Sequence, residues 1–145
     1  MIRVVTHNGS TSAWLDRLDV ILDDAAETLG RAFNQKDVNL EAVDDDGTFL
    51  GGLSGYGQLG WFFVKSLALE PAARGKGAGR ELMLRAEEIA RDLGYDGIWV
   101  DTYDFQAPDF YRKLGYTEFG RLPANGEHPQ RIWFAKVFDN KRTGQ

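Results

Sequence analysis

The chain has 145 residues, of which 43% are hydrophobic and 27% charged, so it is long enough for one packed domain and too apolar for a disordered protein. It contains no cysteine, which excludes disulfides, thiolate zinc sites and cysteine nucleophiles. Its 22 acidic and 17 basic side chains give a net charge of -5, which disfavours binding to nucleic-acid phosphates and slightly favours a cationic partner.

The first half of the chain predicts a strand, a helix and a hairpin. Residues 2–6 are rich in β-branched side chains and predict a short strand. Apolar residues at three- and four-residue spacing then predict a helix with one face against the core, capped by one of the hydroxyl residues 10–12. That stripe consists of Trp14, Leu18, Ile21, Leu22, Ala25, Leu29 and Phe33. Two strands, Val38–Val43 and Phe49–Tyr56, follow, and the turn Asp44–Gly47 between them predicts a hairpin.

The middle of the chain predicts a strand, a glycine-rich loop, a helix and a second strand. Residues 61–69 are the most apolar run and predict a central strand. Glycine-rich residues 74–79 lead into a helix that Gly94 closes. Its apolar stripe consists of Leu82, Met83, Ala86, Ile89, Ala90 and Leu93. Because Ile98–Tyr103 predicts the next strand, the three elements form a parallel crossover unit.

A short helix and two strands complete the pattern. Asp109–Leu114 predicts the helix, and Tyr116–Arg121 and Gln130–Phe138 predict the strands. The order of elements is therefore β-α-β-β-β-α-β-α-β-β, an α/β pattern with a central mixed sheet flanked by helices. We expect residues 1–139 to form a single domain and residues 140–145 to be a frayed tail.

The glycine-rich loop is the clearest candidate site. Glycines 75, 77 and 79 leave backbone N–H groups free at a helix start, where the helix dipole favours an anion such as a diphosphate. Positive charge comes from Arg74, Lys76 and Arg80. A flexible connector with incidental charges is the alternative. The loop matches neither the Walker pattern nor GxGxxG, but it follows the most apolar strand, at the strand end where open sheets tend to bind ligands.

Two motifs in the second half of the chain resemble those of a known family. Residues 74–79, Arg-Gly-Lys-Gly-Ala-Gly, resemble the [Gln/Arg]-x-x-Gly-x-[Gly/Ala] signature of the GCN5-related N-acetyltransferases, the GNAT family. Residues 107–116 match the family's Ala-x-x-x-Tyr-x-[Lys/Arg]-x-Gly-[Phe/Tyr]. The motifs cover about residues 61–121, and the order of elements fits along nearly the whole chain. The resemblance implies a GNAT-like fold with acetyl-CoA as co-substrate.

The resemblance also implies which residues hold the cofactor. In the family, the loop amides bind the pyrophosphate, and the strand before the loop pairs through its backbone with the pantetheine arm and polarises the carbonyl. Asp104 stands where many members carry an asparagine that contacts pantetheine, but an ionised aspartate cannot donate a hydrogen bond, and Gln106 is the substitute. The implied set is Leu67, Ala68, Leu69, Arg74, Gly75, Lys76, Gly77, Ala78, Gly79, Arg80, Asp104 and Gln106.

Tyr111 is the predicted catalytic residue. By spacing alone it is a core tyrosine on an apolar helix face, whereas the resemblance makes it the general acid that reaches the CoA sulfur. The central strand carries no carboxylate as general base, so the candidates are Asp101, His128 or a chain of water. Without a cysteine nucleophile, we expect direct transfer in a ternary complex.

The acceptor is expected to be a primary amine of a small molecule. The alternatives are protein Nα or lysine acetylation, a non-catalytic CoA-binding module, and a nucleotide-phosphate enzyme that uses the same loop. The acidic helix face, residues 16–27, attracts a cationic amine or is simply solvated. Tyr56, Trp61, Phe62 and Phe63 line an aromatic pocket or belong in part to the sheet core.

The remaining expectations concern location and partners. No segment reaches roughly 18 apolar residues and no signal-type segment opens the chain, so we expect a soluble, cytoplasmic protein without membrane or nucleic-acid partners. Homodimers are common in the family, which makes a homodimer an expectation here. His7 and His128 lie far apart in sequence, so no metal site is expected.

Overall fold

The structure, a computed structural model, describes residues 1–139, which fall into two compact units. The first unit spans Met1–Asn34, and the second begins at Gln35. The tail predicted at residues 140–145 lies outside the described residues, and the single acetyltransferase domain over residues 1–139 stays a prediction. No helix within the described part of the chain is long and apolar enough to cross a bilayer.

The first unit contains one helix, α1 (Ser12–Thr28), and no strand. The strand predicted at residues 2–6 is therefore wrong, because β-branched side chains favour a strand only where the backbone also finds a pairing partner. The predicted N-terminal boundary of the helix is confirmed. Thr11 occupies the N-cap position, although its side chain makes no capping hydrogen bond.

The C-terminal end of α1 differs from the prediction. The helix stops at Thr28 because Gly30 adopts φ +71° and its N–H bonds to the Glu27 carbonyl at 3.0 Å, so Leu29 and Phe33 lie beyond it. No residue of α1 is buried, and the expectation that its apolar stripe faces the core stays a prediction. Apolar periodicity identifies a face that is suited to burial, but burial itself requires a surface to cover that face.

The second unit is a mixed sheet with helices. Its strands are β1 (Lys36–Val43), β2 (Phe49–Gln58), β3 (Trp61–Leu69), β4 (Gly97–Tyr103), β5 (Thr117–Arg121) and β6 (Arg131–Val137). The helices are α2 (Ala78–Asp92), α3 (Pro108–Lys113) and a 3-10 turn at Pro71–Ala73. The strand order is β1-β2-β3-β4-β6-β5, and only β3 and β4 are parallel among the neighbouring strands of this sheet. The mixed sheet and the parallel crossover are confirmed.

One face of the sheet, called here the inner face, forms the core with α2. Its buried side chains are Leu53, Phe62, Val64, Ile98, Val100, Ile132 and Phe134. The helix contributes Leu82, Met83, Ala86 and Ala90 to the same cluster, as its periodicity predicts. Because side chains alternate along a strand, the neighbours of these residues form the outer face, where Tyr56, Phe63, Trp99 and Trp133 are half-buried.

The β1–β2 hairpin shows how far local chemistry determines this fold. One Asp44 carboxylate oxygen accepts the backbone N–H groups of Asp46 and Thr48, both at 2.9 Å. Gly47 has φ +81°, a left-handed conformation that favours glycine, and its N–H donates to the Asp44 carbonyl at 2.9 Å. The turn predicted from the acidic triplet is thus confirmed.

Candidate active site

The sheet opens between β3 and β4. The two strands pair from Trp61 with Gly97 to Val64 with Val100, and the pairing stops there. At this point Lys65 has no partner in β2, because the register steps from Gly55 opposite Val64 to Ser54 opposite Ser66. Such a bulge bends its strand. Beyond Lys65, β3 and β4 continue without pairing to each other, which leaves a gap on the β4 side of β3.

The predicted pantetheine-binding residues lie along this gap. Leu67, Ala68 and Leu69 pair with β2 through one edge of their backbone. No described strand pairs with their other edge, so its N–H and C=O groups are available to an extended ligand. The structure therefore places these three residues where a ligand can add as a strand, and their role stays a prediction.

The glycine-rich loop follows β3 directly. Gly75 and Gly77 have φ of +77° and +91°, conformations that a residue with a Cβ adopts only with strain. Gly77 is the N-cap of α2, and the first hydrogen bond of the helix is donated by Glu81 to the Gly77 carbonyl at 3.0 Å. The N–H groups of residues 78–80 therefore precede the helical ladder and remain available to an anion.

The glycine-rich loop carries exposed positive charge and is held in place by close packing at Gly79. The side chains of Arg74, Lys76 and Arg80 are exposed around it. Gly79 is buried, and a Cβ there would lie 3.3 Å from the Phe110 ring and 3.4 Å from the Leu69 side chain. The helix start thus packs closely against both β3 and α3, which holds a cationic loop next to the gap in the sheet.

Tyr111 lies on α3 with a buried ring and an accessible hydroxyl. The side chain is 6% exposed and packs against Phe110, Tyr116 and Phe134. Among the described residues its hydroxyl makes no hydrogen bond, and no buried polar side-chain atom there lacks a partner, so solvent must reach this hydroxyl. Burial, together with the negative charge of Asp101, raises the pKa of Tyr111 to about 12. The phenol therefore stays protonated at physiological pH.

The two side chains predicted as general bases have different surroundings. Asp101 lies on β4 with its side chain 19% exposed, and one carboxylate oxygen accepts two hydrogen bonds from Arg131, at 3.0 Å from Nη2 and 3.3 Å from Nε. It follows Val100, where the pairing of β4 with β3 stops, so it lies at the gap. His128 lies in the exposed loop before β6, where its backbone N–H bonds to the Asn125 carbonyl. The geometry therefore favours Asp101 over His128.

Asp104 and Gln106 stabilise the end of β4. The Asp104 carboxylate accepts the backbone N–H of Gln130 at 3.2 Å. The Gln106 side-chain carbonyl accepts the N–H of Tyr103 at 2.9 Å and the hydroxyl of Thr102 at 3.2 Å. The Gln106 NH₂ group can still donate a hydrogen bond, whereas the Asp104 carboxylate can only accept one. Gln106 is therefore the better candidate of the two for a pantetheine contact.

A buried ionic cluster behind Tyr111 is absent from the sequence-based predictions. Glu87 on α2 is 1% exposed and accepts hydrogen bonds from the Tyr116 hydroxyl at 2.8 Å and from Lys136 Nζ at 3.0 Å. Lys136 also donates to the Leu114 carbonyl at 2.9 Å, which ties β6 to the end of α3. The feature of the sequence that could have indicated this cluster is a glutamate, Glu87, inside the apolar stripe of α2, next to Ala86.

Alkaline pH is expected to destabilise this region. Burial and the Glu87 carboxylate raise the pKa of Tyr116, and burial raises that of Tyr111. Both phenols thus hold their protons more tightly in the folded than in the unfolded state. Their contribution to the free energy of unfolding is therefore fully present below the unfolded-state pKa of about 10, and it is lost as the pH rises through the folded-state pKa values. For Tyr111 the loss reaches about 2 kcal/mol by pH 12. Urea unfolding at a series of pH values above about 9 measures this loss. If the free energy of unfolding fell as steeply with pH in Tyr111→Phe as in the wild type, Tyr111 would not be a source of the loss.

Aromatic side chains line a groove on the outer face. Of the four aromatics that the sequence singled out, Phe62 is fully buried in the core, whereas Trp61 lines the groove. The groove has a volume of about 630 Å³, and its walls are Trp61, Trp99, Phe119, Trp133 and Ala135. The sequence-based predictions missed the last four of these residues. Alternation along β4 and β6 was the signal that could have placed Trp99 and Trp133 on one face.

Comparisons with known proteins agree with this geometry. The profile of the Acetyltransferase (GNAT) family matches residues 10–116. Acetyltransferase Atu2258 of Agrobacterium fabrum is 33% identical over 105 residues, which are 72% of this chain and 77% of that protein. Blasticidin-S acetyltransferase of Streptomyces morookaense is 42% identical over 83 residues, 57% of this chain and 61% of that enzyme. A solved acetyltransferase from Agrobacterium tumefaciens has a TM-score of 0.81 at 29% identity and covers 95% of this chain and 100% of its own.

Proposed function

Because this chain belongs to the GNAT family of acetyltransferases, whose co-substrate is acetyl-CoA, we propose that it transfers the acetyl group to a primary amine of a small molecule. The transfer occurs directly in a ternary complex. The observation that carries the proposal is the gap between β3 and β4, which the cationic glycine loop follows directly, together with the packing of α3, the helix of Tyr111, against the start of α2. The relative named for blasticidin S supports a small-molecule acceptor.

Acetyl-CoA binds across the gap and the loop. The pyrophosphate sits on the N–H groups at the start of α2, with Arg74, Lys76 and Arg80 around it. The pantetheine arm pairs with the free edge of Leu67–Leu69. This placement brings the thioester to the bulge at Lys65, where a backbone N–H of β3 can donate to the carbonyl oxygen as negative charge develops on it.

The amine nitrogen then attacks the thioester carbon, and the bond between carbon and sulfur breaks. Tyr111 donates a hydrogen bond to the departing sulfur. With a pKa of about 12, the phenol holds its proton more tightly than a thiol of pKa about 8.5 does, so its main contribution is this hydrogen bond and not full proton loss. The proton that the sulfur finally carries comes from the amine.

Calorimetric titration with acetyl-CoA tests the cofactor site. The variant Arg74→Glu/Lys76→Glu is expected to bind at least about 100-fold more weakly, because two charge-assisted contacts to phosphate become repulsions. The matched control Arg3→Glu/Lys36→Glu changes the net charge equally on exposed residues elsewhere and should bind like the wild type. Equal weakening in both variants would mean that overall charge, and not this loop, governs binding.

Release of free CoA thiol in the presence of amines tests the reaction itself. Turnover with small primary amines above the rate of acetyl-CoA hydrolysis is expected. Tight acetyl-CoA binding with no turnover across small amines and peptide amines would overturn the proposal in favour of a CoA-binding module. Turnover with peptide amines alone would move the acceptor class to proteins.

A further inference from the structure

One carboxylate oxygen of Asp101 is left open at the gap. Both donors from Arg131 bind the same oxygen, Oδ1, and among residues 1–139 nothing donates to Oδ2. The Arg131 guanidinium lies over the Trp133 ring at 5.3 Å and over the Tyr103 ring at 5.8 Å, so two aromatic rings hold the donor in place. Asp101 is therefore oriented from one side and free on the other, and it lies at the gap because it follows Val100, the last residue of β4 that pairs with β3.

The aromatic groove begins next to this carboxylate. Trp133 is the residue opposite Asp101 in the antiparallel pairing of β4 and β6. Trp99 precedes Asp101 by two residues on β4, so its side chain lies on the same face. Phe63 stacks on Trp99 with the ring centroids 4.0 Å apart and continues the aromatic surface onto β3. The groove thus lies on the same face of the sheet as Asp101 and includes the residue opposite it, Trp133.

Resting on the function proposed above, we infer that the acceptor is an amine carried on a flat aromatic group, bound with its nitrogen at Asp101 and its ring in the groove of Trp99 and Trp133. The carboxylate provides the opposite charge for an ammonium group. The tryptophan surfaces provide the offset stacking and the apolar burial that a flat ring gains most from. Apart from indole N–H groups the walls are apolar, so the shape of the acceptor is the main determinant of binding.

The acetyl transfer to such an amine balances in bonds and protons without a further reactant. The bound ammonium releases one proton to solvent beside Asp101, and the neutral nitrogen forms the new bond to the acetyl carbon. The bond from that carbon to sulfur breaks, and the nitrogen's second proton ends on the sulfur. The products are the N-acetyl amine, the free thiol of CoA and one proton. Asp101 contacts the reacting nitrogen throughout, and Arg131 acts through Asp101 as a positioning residue.

Two amines with the same carbon skeleton test the shape of the groove. The kcat/KM for 2-phenylethylamine, whose ring is flat, is expected to exceed that for 2-cyclohexylethylamine by about 10-fold. Trp133→Leu should abolish this preference by raising KM for the aromatic amine only, so the cyclohexyl amine serves as the internal control. Equal kcat/KM for the two amines in the wild type, or a preference that survives in Trp133→Leu, would overturn the inference.

Variants of the ion pair test the nitrogen site. Asp101→Asn should lower kcat/KM for both amines about 100-fold, with unchanged acetyl-CoA affinity, because the neutral amide cannot attract the ammonium. The control Asp92→Asn removes an exposed carboxylate at the end of α2 and should leave the rate unchanged. Arg131→Lys should raise KM for the amine and leave KM for acetyl-CoA unchanged. A matching rise in both constants would mean that Arg131 is merely structural.

The outcomes separate this inference from the proposed function. If 2-cyclohexylethylamine is acetylated as readily as its aromatic counterpart, acetyl transfer to small amines stands and the flat acceptor is wrong. If neither these nor other small amines release CoA above hydrolysis while acetyl-CoA binds, both are wrong. A lower rate in Asp101→Asn, together with lost discrimination in Trp133→Leu, supports the inference in full.

Discussion

Replacing Glu87 with alanine is expected to lower the free energy of unfolding by about 2–4 kcal/mol, because the change leaves the half-buried Lys136 without its counter-ion and the buried Tyr116 hydroxyl without its acceptor. Glu87 is 1% exposed and is the shared partner of Tyr116 and Lys136. Since domains of this size are stable by only about 5–15 kcal/mol, the variant should be unfolded or close to it at moderate urea concentrations. Equilibrium urea unfolding measures the effect.

The next residue on α2 provides a matched control. Glu88 is also a helical glutamate paired with an arginine, Arg85, at 3.3 Å, but both side chains are about two-thirds exposed. Glu88→Ala should therefore cost less than about 1 kcal/mol. The variant Glu87→Leu/Tyr116→Phe/Lys136→Met should recover most of the stability, because it replaces the three hydrogen-bonded partners by apolar groups. Equal losses in Glu87→Ala and Glu88→Ala would show that the cluster contributes little.

Tyr111→Phe is expected to lower kcat about 100-fold and to leave KM for acetyl-CoA unchanged. The ring keeps its packing against Tyr116 and Phe134, and only a hydroxyl that makes no hydrogen bond in the described structure is removed. Stability near neutral pH should therefore stay within about 0.5 kcal/mol of the wild type. Steady-state release of CoA thiol measures kcat, and urea unfolding measures stability.

Tyr116→Phe is the matched comparison for this prediction. It removes a neighbouring buried hydroxyl that is bonded to Glu87, so it should lower stability by about 1–3 kcal/mol and leave kcat close to the wild-type value. Tyr111→Phe should thus lower kcat and keep stability, whereas Tyr116→Phe should lower stability and keep kcat. Wild-type turnover in Tyr111→Phe would rule out a role for its hydroxyl at the sulfur.

The sequence predicted those parts of the fold that depend on short-range chemistry. The Asp44 turn needs only its own five residues, and Gly94 ends α2 by adopting φ +84° within one turn of the helix. The strand at residues 2–6 failed because it depends on a pairing partner that side-chain propensity cannot identify. The bulge at Lys65 had a weak signal, a polar pair that interrupts the most apolar strand.

The candidate site divides in the same way. Its loop and Tyr111 were predictable because their motifs are contiguous. The pair of Asp101 with Arg131 joins residues 30 apart, and that of Glu87 with Lys136 joins residues 49 apart. Such pairs arise only once β4, β6 and α2 are assembled, so the sequence can mark a single residue as unusual but does not identify its partner. Trp99 and Trp133 meet for the same reason, since β6 returns beside β4 after α3 and β5.

The short pairing of β3 with β4 divides the sheet mechanically. Strands β1, β2 and β3 form one half and β4, β6 and β5 the other, and their shared backbone hydrogen bonds lie between Trp61 and Val64 on one side and Gly97 and Val100 on the other. The sheet therefore consists of two halves joined by a short segment of β3–β4 pairing, and the stacked rings of Phe63 and Trp99 lie across that segment. A rotation of one half of the sheet against the other about this segment would change the width of the gap without breaking a hydrogen bond within either half.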